Sequence, residues 1–163
     1  MRITALAVGR ARASAEQGLC DVHWERAAAL GGKLGFTKLD FLIVDTSRGS
    51  SSAARMDDEA KKLTARMPSA AHRIALDEGG RSLSSEAFAK HLASLRDSGV
   101  RDLAFLIGGP DGLAAPLREG AQERLAFGPQ TWPHLLVRAM LAEQVYRAFA
   151  ILSGHPYHRS RTA

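Results

Sequence analysis

Apolar residues along this chain fall into two alternating rhythms. The short runs "ITALAV" (3–8), "LDFLIVD" (39–45), "HRIALD" (72–77), "LAFLI" (103–107) and "RLAF" (124–127) read as strands, being brief and, in most, rich in branched or aromatic residues. Between them apolar positions recur every three or four residues, the period of a helix with one buried face. Leu19, Val22, Arg26, Ala27, Leu30 and Leu34 mark the first helix, ending among Gly31, Gly32 and Gly35. Met56, Ala60, Leu63 and Met67 mark a second, stopped by Pro68 after the flexible stretch "TSRGSSSAAR". Phe88, Leu92 and Leu95 mark a third, capped by Ser84 or Ser85 and ended by Gly99. A short helix is expected over about 116–122 and a long one over about 133–153. The stripe of the long helix, Val137, Leu141, Val145, Ala148 and Leu152, is widened by Tyr146 and Phe149, enough to serve core and subunit contact together.

Strands alternating with helices predict an α/β fold: a single domain over residues 1–163 with a mainly parallel sheet. The run 103–107, apolar at every position, fits a strand covered on both faces. Strand order and any knot are invisible to periodicity. At 163 residues the chain can bury a core without disulfides or metals, and its one cysteine, Cys20, fits a reducing compartment. No apolar run approaches the roughly 20 residues that cross a bilayer. "MRITALAVGR" is too short an apolar stretch for a signal peptide, so a cytoplasmic protein with no membrane partner is expected. Lys and Arg number 22 against 17 Asp and Glu, a net charge of +5 that favours an anionic partner such as nucleic acid.

Ligands of open α/β sheets bind beyond the carboxyl ends of the strands. Three of those ends are glycine-rich here: "EGG" after the third strand, "GGPDG" after the fourth and "GPQTWPH" after the fifth. Glycine lets a backbone turn tightly and approach a ligand closely. Gly108, Gly109 and Gly112 fit neither a dinucleotide fingerprint nor a P-loop.

"IGGPDG" (107–112), "TWPHLLVRAMLAEQVYRA" (131–148) and the terminal "HPYHR" (155–159) resemble, in order and interval, the SPOUT-class ribosomal RNA large subunit methyltransferase H family. The resemblance runs over essentially the whole chain, strongest from Ile74 onward and weak between Cys20 and Met67. It implies a C-terminal trefoil knot of SPOUT type, with knot and donor loops within about 74–153 and a functional tail at 154–159. It also implies an obligate homodimer that uses S-adenosylmethionine to methylate N3 of a pseudouridine in 23S rRNA of the large ribosomal subunit. Carried over residue by residue, it puts the donor against Leu76, Gly108, Phe127, Gly128, Pro129, Gln130, Thr131 and Trp132. Loop backbone would read the adenine, with Leu76 and Trp132 as apolar cover.

Methylation of an imino nitrogen requires its proton to be removed, or the resulting anion stabilised. With the resemblance in place, His158 is the expected base, since a histidine titrates near neutrality. Tyr157 is expected to stack on the target base or hydrogen-bond to it, and Arg159 to clamp a phosphate or the anionic base. Pro156 ends the helix and can turn these three back toward the donor. His155 and Arg138 are the expected RNA contacts; His134, one turn before Arg138, is expected to orient its loop. Arg48, Arg55, Arg81 and "KLTAR" are weaker RNA candidates, and Glu143 with Arg147 reads as a structural helix pair. His155 and His158, lacking a third ligand, give no reason to expect a metal. Two other functions stay open: a knotted methyltransferase acting on a ribose 2′-hydroxyl or a tRNA base, and a non-catalytic RNA-binding assembly factor. The "HPYHR" tail speaks against the first, and retention of all three loops against the second.

Overall fold

A computed structural model describes residues 1–10 and 13–158. Its five strands are β1 (Arg2–Val8), β2 (Lys38–Val44), β3 (His72–Ser82), β4 (Asp102–Ile107) and β5 (Glu123–Ala126). They form one parallel sheet in the order β2-β1-β4-β3-β5. Four lie within one residue of expectation, but β3 runs on to Ser82 through the expected turn "EGGRS". Leu76 and Arg81 both pair with Leu125, so the glycine run is a bulge within the strand.

The helices are α1 (Ala15–Gly31), α2 (Ser52–Arg66), α3 (Ser85–Asp97), α4 (Ala115–Glu119) and α5 (His134–Ser153). Ser14, Ser51 and Ser84 cap α1, α2 and α3, each hydroxyl accepting an amide of the first turn at 3.1 Å. Alternation along the strands divides the core into two layers. Ile3, Ala5 and Ala7 of β1, with Leu103, Phe105 and Ile107 of β4, face α1, α3 and α5. Leu6, Val8, Ala104 and Leu106 face α2 and α4. Among the described residues, no helix is long and apolar enough to cross a membrane.

The expected stripe of α1 is buried only in part: Ala27 is in the core and Leu30 and Leu34 pack against it, but the first turns face another way. Cys20, Trp24, Ala27 and Gly31 turn inward, whereas Leu19 and Val22 are 53% and 44% exposed. This helix is apolar on two sides, and the protomer uses only one. Burial pushes the Cys20 thiol up to about 12, so it stays protonated and unreactive at neutral pH. A thiol reagent at pH 8 is expected to label native protein only as fast as it opens. Stoichiometric labelling within the mixing time would contradict that.

At the end of β1, Gly9 adopts φ +145° with the Arg138 side chain pressed against it. A Cβ there would fall on Arg138 Nη2 and 3.1 Å from Cζ. Gly9→Ala therefore combines a forbidden backbone angle with a displaced buried guanidinium, and we expect it to cost about 2–4 kcal/mol. Chemical denaturation checks this; a midpoint equal to wild type would show that Arg138 has another seat.

Candidate functional site

Because the sheet is parallel, the carboxyl ends of β3, β4 and β5 open on one edge. The β3 bulge and the loops after β4 and β5 enclose a cavity of about 850 Å³. Leu76, Gly108, Phe127, Gly128, Gln130, Thr131 and Trp132 line it; Pro129, the eighth expected donor position, does not.

Two ties that sequence reasoning missed hold these loops in place. Thr131 Oγ1 donates to Glu78 Oε2 at 2.6 Å, joining the β5 loop to the β3 bulge. Arg55 of α2 grips Asp111 in the β4 loop through Nε to Oδ2 (2.7 Å) and Nη2 to Oδ1 (3.0 Å). The guanidinium holds the Asp111 carboxyl below the usual carboxylate range. Arg55, a candidate for RNA, is thus engaged inside the fold. The Trp132 indole donates to the Phe127 carbonyl at 3.1 Å, closing the β5 loop on itself. Asp77, Glu78 and Asp111 give the cavity wall a carboxylate side, which suits a cationic or hydroxyl-bearing ligand. Glu59, 3% exposed on α2, accepts the Ser47 amide at 2.9 Å and so anchors the polar loop before that helix.

Arg138 is not at the surface, as its expected RNA contact requires. It is 1% exposed, and Nη2 donates to the Val8 carbonyl at 2.5 Å, bracing the end of β1 against α5. Nε and Nη1 have no partner among the described residues, and burial pulls the guanidinium's pKa down. His134, half-buried at the start of α5, lines the cavity in front of it.

The tail turns back at Gly154, whose φ of +69° ends α5. Tyr157 Oη donates to Glu143 Oε1 at 3.1 Å, beneath the Arg147 guanidinium 4.9 Å from the ring centroid. Burial, then the Glu143 charge, raises the Tyr157 pKa, so its hydroxyl stays a donor. Glu143 also pairs with Arg147 Nε at 2.8 Å, so the expected helix pair holds the tail as well. His158 Nε2 lies 3.0 Å from Glu86 Oε1, and exposed His155 accepts the Tyr157 amide at Nδ1. Tyr157, His158 and His155 come together with one another, yet none lines the cavity of the same protomer. Arg159 lies outside the described residues.

A second, apolar cavity of about 570 Å³ backs onto the same β5 loop. Leu19, His23, Phe88, Phe127, Leu136 and Met140 line it, with Glu143 at its edge. Among the described residues, no group of three or more histidine, cysteine or carboxylate side chains is placed to hold a metal ion.

Known proteins match this chain along nearly its full length. A relative from Bradyrhizobium diazoefficiens is 46% identical over 98% of this chain and 100% of its own, and one from Hyphomonas neptunium is 49% identical over the same shares. Both are named Ribosomal RNA large subunit methyltransferase H. Among solved structures, a probable methylase family protein from Haemophilus influenzae Rd KW20 aligns with 98% of this chain and 70% of that one. Its TM-score of 0.48 and 12% identity are too low to bear weight. A family described as "Predicted SPOUT methyltransferase" matches residues 1–158, and with relatives of this identity and coverage the chain belongs to the SPOUT methyltransferases.

Proposed function

We propose that the protein is an S-adenosylmethionine-dependent methyltransferase of 23S rRNA, modifying N3 of a pseudouridine in the large ribosomal subunit. The observation that carries this reading is the convergence of the β3 bulge and the β4 and β5 loops on one cavity, whose lining includes seven of the eight positions that the resemblance assigns to the donor. The names of the relatives point to the same RNA.

The cavity fits the donor. Its volume of about 850 Å³ lies within the span of small-molecule sites, roughly 300–1,000 Å³. Leu76, Phe127 and Trp132 offer apolar cover for a purine, and the Gly108 and Gly128 backbones offer hydrogen bonds free of side chains. Asp77 and Glu78 suit a sulfonium charge or ribose hydroxyls. When bound, the donor supplies an electrophilic methyl carbon; the chain's own task is to align the acceptor nitrogen and relieve it of its proton.

The protein acts in this reading as a single-domain, cytoplasmic homodimer. Exposed Leu19 and Val22, with Leu19 on the rim of the apolar cavity, support cover by a second copy. A trefoil knot within about 74–153 is what membership of the SPOUT methyltransferases supports. Tyr157, His158 and Arg159 form the functional tail and meet the target base, and a partner protomer completes the RNA-binding surface.

Mass mapping of rRNA from cells lacking the gene tests the reading. Loss of one methyl group from a 23S pseudouridine, restored by the gene, is the expected result. An unchanged 23S map would overturn it, and a methyl missing from a tRNA or a ribose would redirect it.

A further inference from the structure

Of the six histidines in the chain, His134 alone lines the cavity at the strand ends. Among the described residues, ring nitrogens of His72, His91, His155 and His158 meet a polar partner, whereas none is found for the His134 imidazole. Its seat is built rather than accidental. Arg138, one turn along α5, packs against Gly9; Nε2 of His134 lies 3.5 Å from the point a Gly9 Cβ would occupy. The imidazole and the guanidinium therefore flank one glycine at the end of a central strand.

We propose that His134 is the proton acceptor of the methyl transfer, taking the imide proton of the target base inside this cavity. The proposal rests on the methyltransferase reading above. In the step, the N–H bond of the imide breaks and its electron pair stays on nitrogen, which becomes the nucleophile; a nitrogen–methyl bond would then form as the carbon–sulfur bond of the donor breaks, its pair returning to sulfur as a neutral thioether. The proton converts the imidazole to imidazolium and passes to water after the product leaves.

The surroundings suit an acceptor. Burial, then the Arg138 charge, lowers the pKa of His134, so the ring stands neutral at pH 7. Arg138 also repels the imidazolium and favours its return to neutrality. The remaining charged groups of the wall are Asp77, Glu78, Asp111 and Arg118. Asp111 is committed to Arg55, Glu78 to Thr131, and Asp77 to the Gly79 amide. The Cys20 thiol near Arg138 is neutral, its pKa raised by burial to about 12. His158, by contrast, is turned onto Glu86 and away from the cavity of its own protomer.

Single-turnover methylation of the rRNA substrate between pH 5.5 and 9, by wild type and His134→Asn, is the decisive measurement. Wild type should rise with pH and reach a plateau at a midpoint below the ordinary histidine value. His134→Asn should be slower by about 100-fold or more and should lack that midpoint. Calorimetry with S-adenosylmethionine should give an affinity within about 3-fold of wild type, separating proton transfer from a damaged pocket. A readout independent of turnover is the NMR titration of the imidazoles in ligand-free protein. His134 should titrate below its ordinary value and move upward in Arg138→Met. A His134→Asn enzyme with the wild-type rate and pH profile would overturn the role alone, as would a His134 that titrates at or above its ordinary value. A wild-type enzyme that transfers no methyl group would overturn the reading beneath it.

Discussion

Gly108→Ala is expected to weaken binding of S-adenosylmethionine about 100-fold, near 2.8 kcal/mol, while leaving the protein folded. A Cβ at this position would lie 2.6 Å from the Gly112 carbonyl oxygen and 2.7 Å from the Leu113 nitrogen. Both are backbone atoms of the loop that lines the cavity, so no side chain can swing aside. The loop is also braced: Gly112 donates to the Gly109 carbonyl at 3.0 Å, and Asp111 is held by Arg55. Relief of the clash must shift the strand end or the loop, and the backbone that would meet the ligand moves with it. Gly112→Ala is the informative comparison. Its φ of +89° disfavours a side chain, but nothing lies within 4 Å of its added Cβ. That change should strain the loop by about 1–2 kcal/mol without displacing Gly108. Calorimetry on both variants, alongside thermal melts, separates the effects. Gly108→Ala binding within 3-fold of wild type would mean that the loop does not touch the donor.

The convergence of loops behind this prediction was legible from the sequence. A parallel sheet places every carboxyl end on one edge, so the glycine-rich ends of β4 and β5 had to meet if the strands were correctly placed, and the β3 glycines join them from within their strand. β4 was the clearest, because a strand buried on both faces can be apolar at every residue. The β3 bulge was not legible: "EGG" reads as a turn whether it ends a strand or interrupts one. The buried face of α1 was misread only in its first turns, because Leu19 and Val22 look as core-like as Cys20 and Trp24. Arg138 and Glu59 were hidden by their charge, although a signal existed. Arg138 falls in helical step with buried Leu141, Ala142 and Val145, and Glu59 with Leu63, so each sits on an apolar stripe. A charge in step with a core stripe marks a buried polar role, and both of these lie beneath the strand ends. The resting place of the tail depends on Glu143 and Glu86, 14 and 72 residues from their partners, a pairing no local pattern encodes.

Phe149→Ala should produce the largest loss of stability, about 3–5 kcal/mol, with little change in how the folded fraction binds its ligand. Phe149 is fully buried and stacks on Phe36 at 4.3 Å between centroids. Its ring edge also lies 3.0 Å from the point a Gly31 Cβ would occupy, so the end of α1 is fitted around it. The residue thus ties α5 to α1 and to the turn before β2, and no neighbour is free to fill the void. For a chain of this size the loss corresponds to roughly 6–20 °C in melting temperature, a large share of the about 5–15 kcal/mol that a domain possesses. His134 begins the same helix, but 15 residues at about 1.5 Å each put it some 22 Å away. The cavity should therefore keep its shape in every molecule that remains folded. Saturation with S-adenosylmethionine at about 100 times its Kd should restore about 2.7 kcal/mol, more than half of the deficit, because the donor binds only the folded state. The opposite pairing is expected of Gly108→Ala: a near-normal melt without donor and almost no upward shift on adding it. A Phe149→Ala melt within 3 °C of wild type would show that Phe36 and α1 repack around the gap. In that event the hold of α5 on the sheet must come from Leu141, Val145 and Ala148 instead.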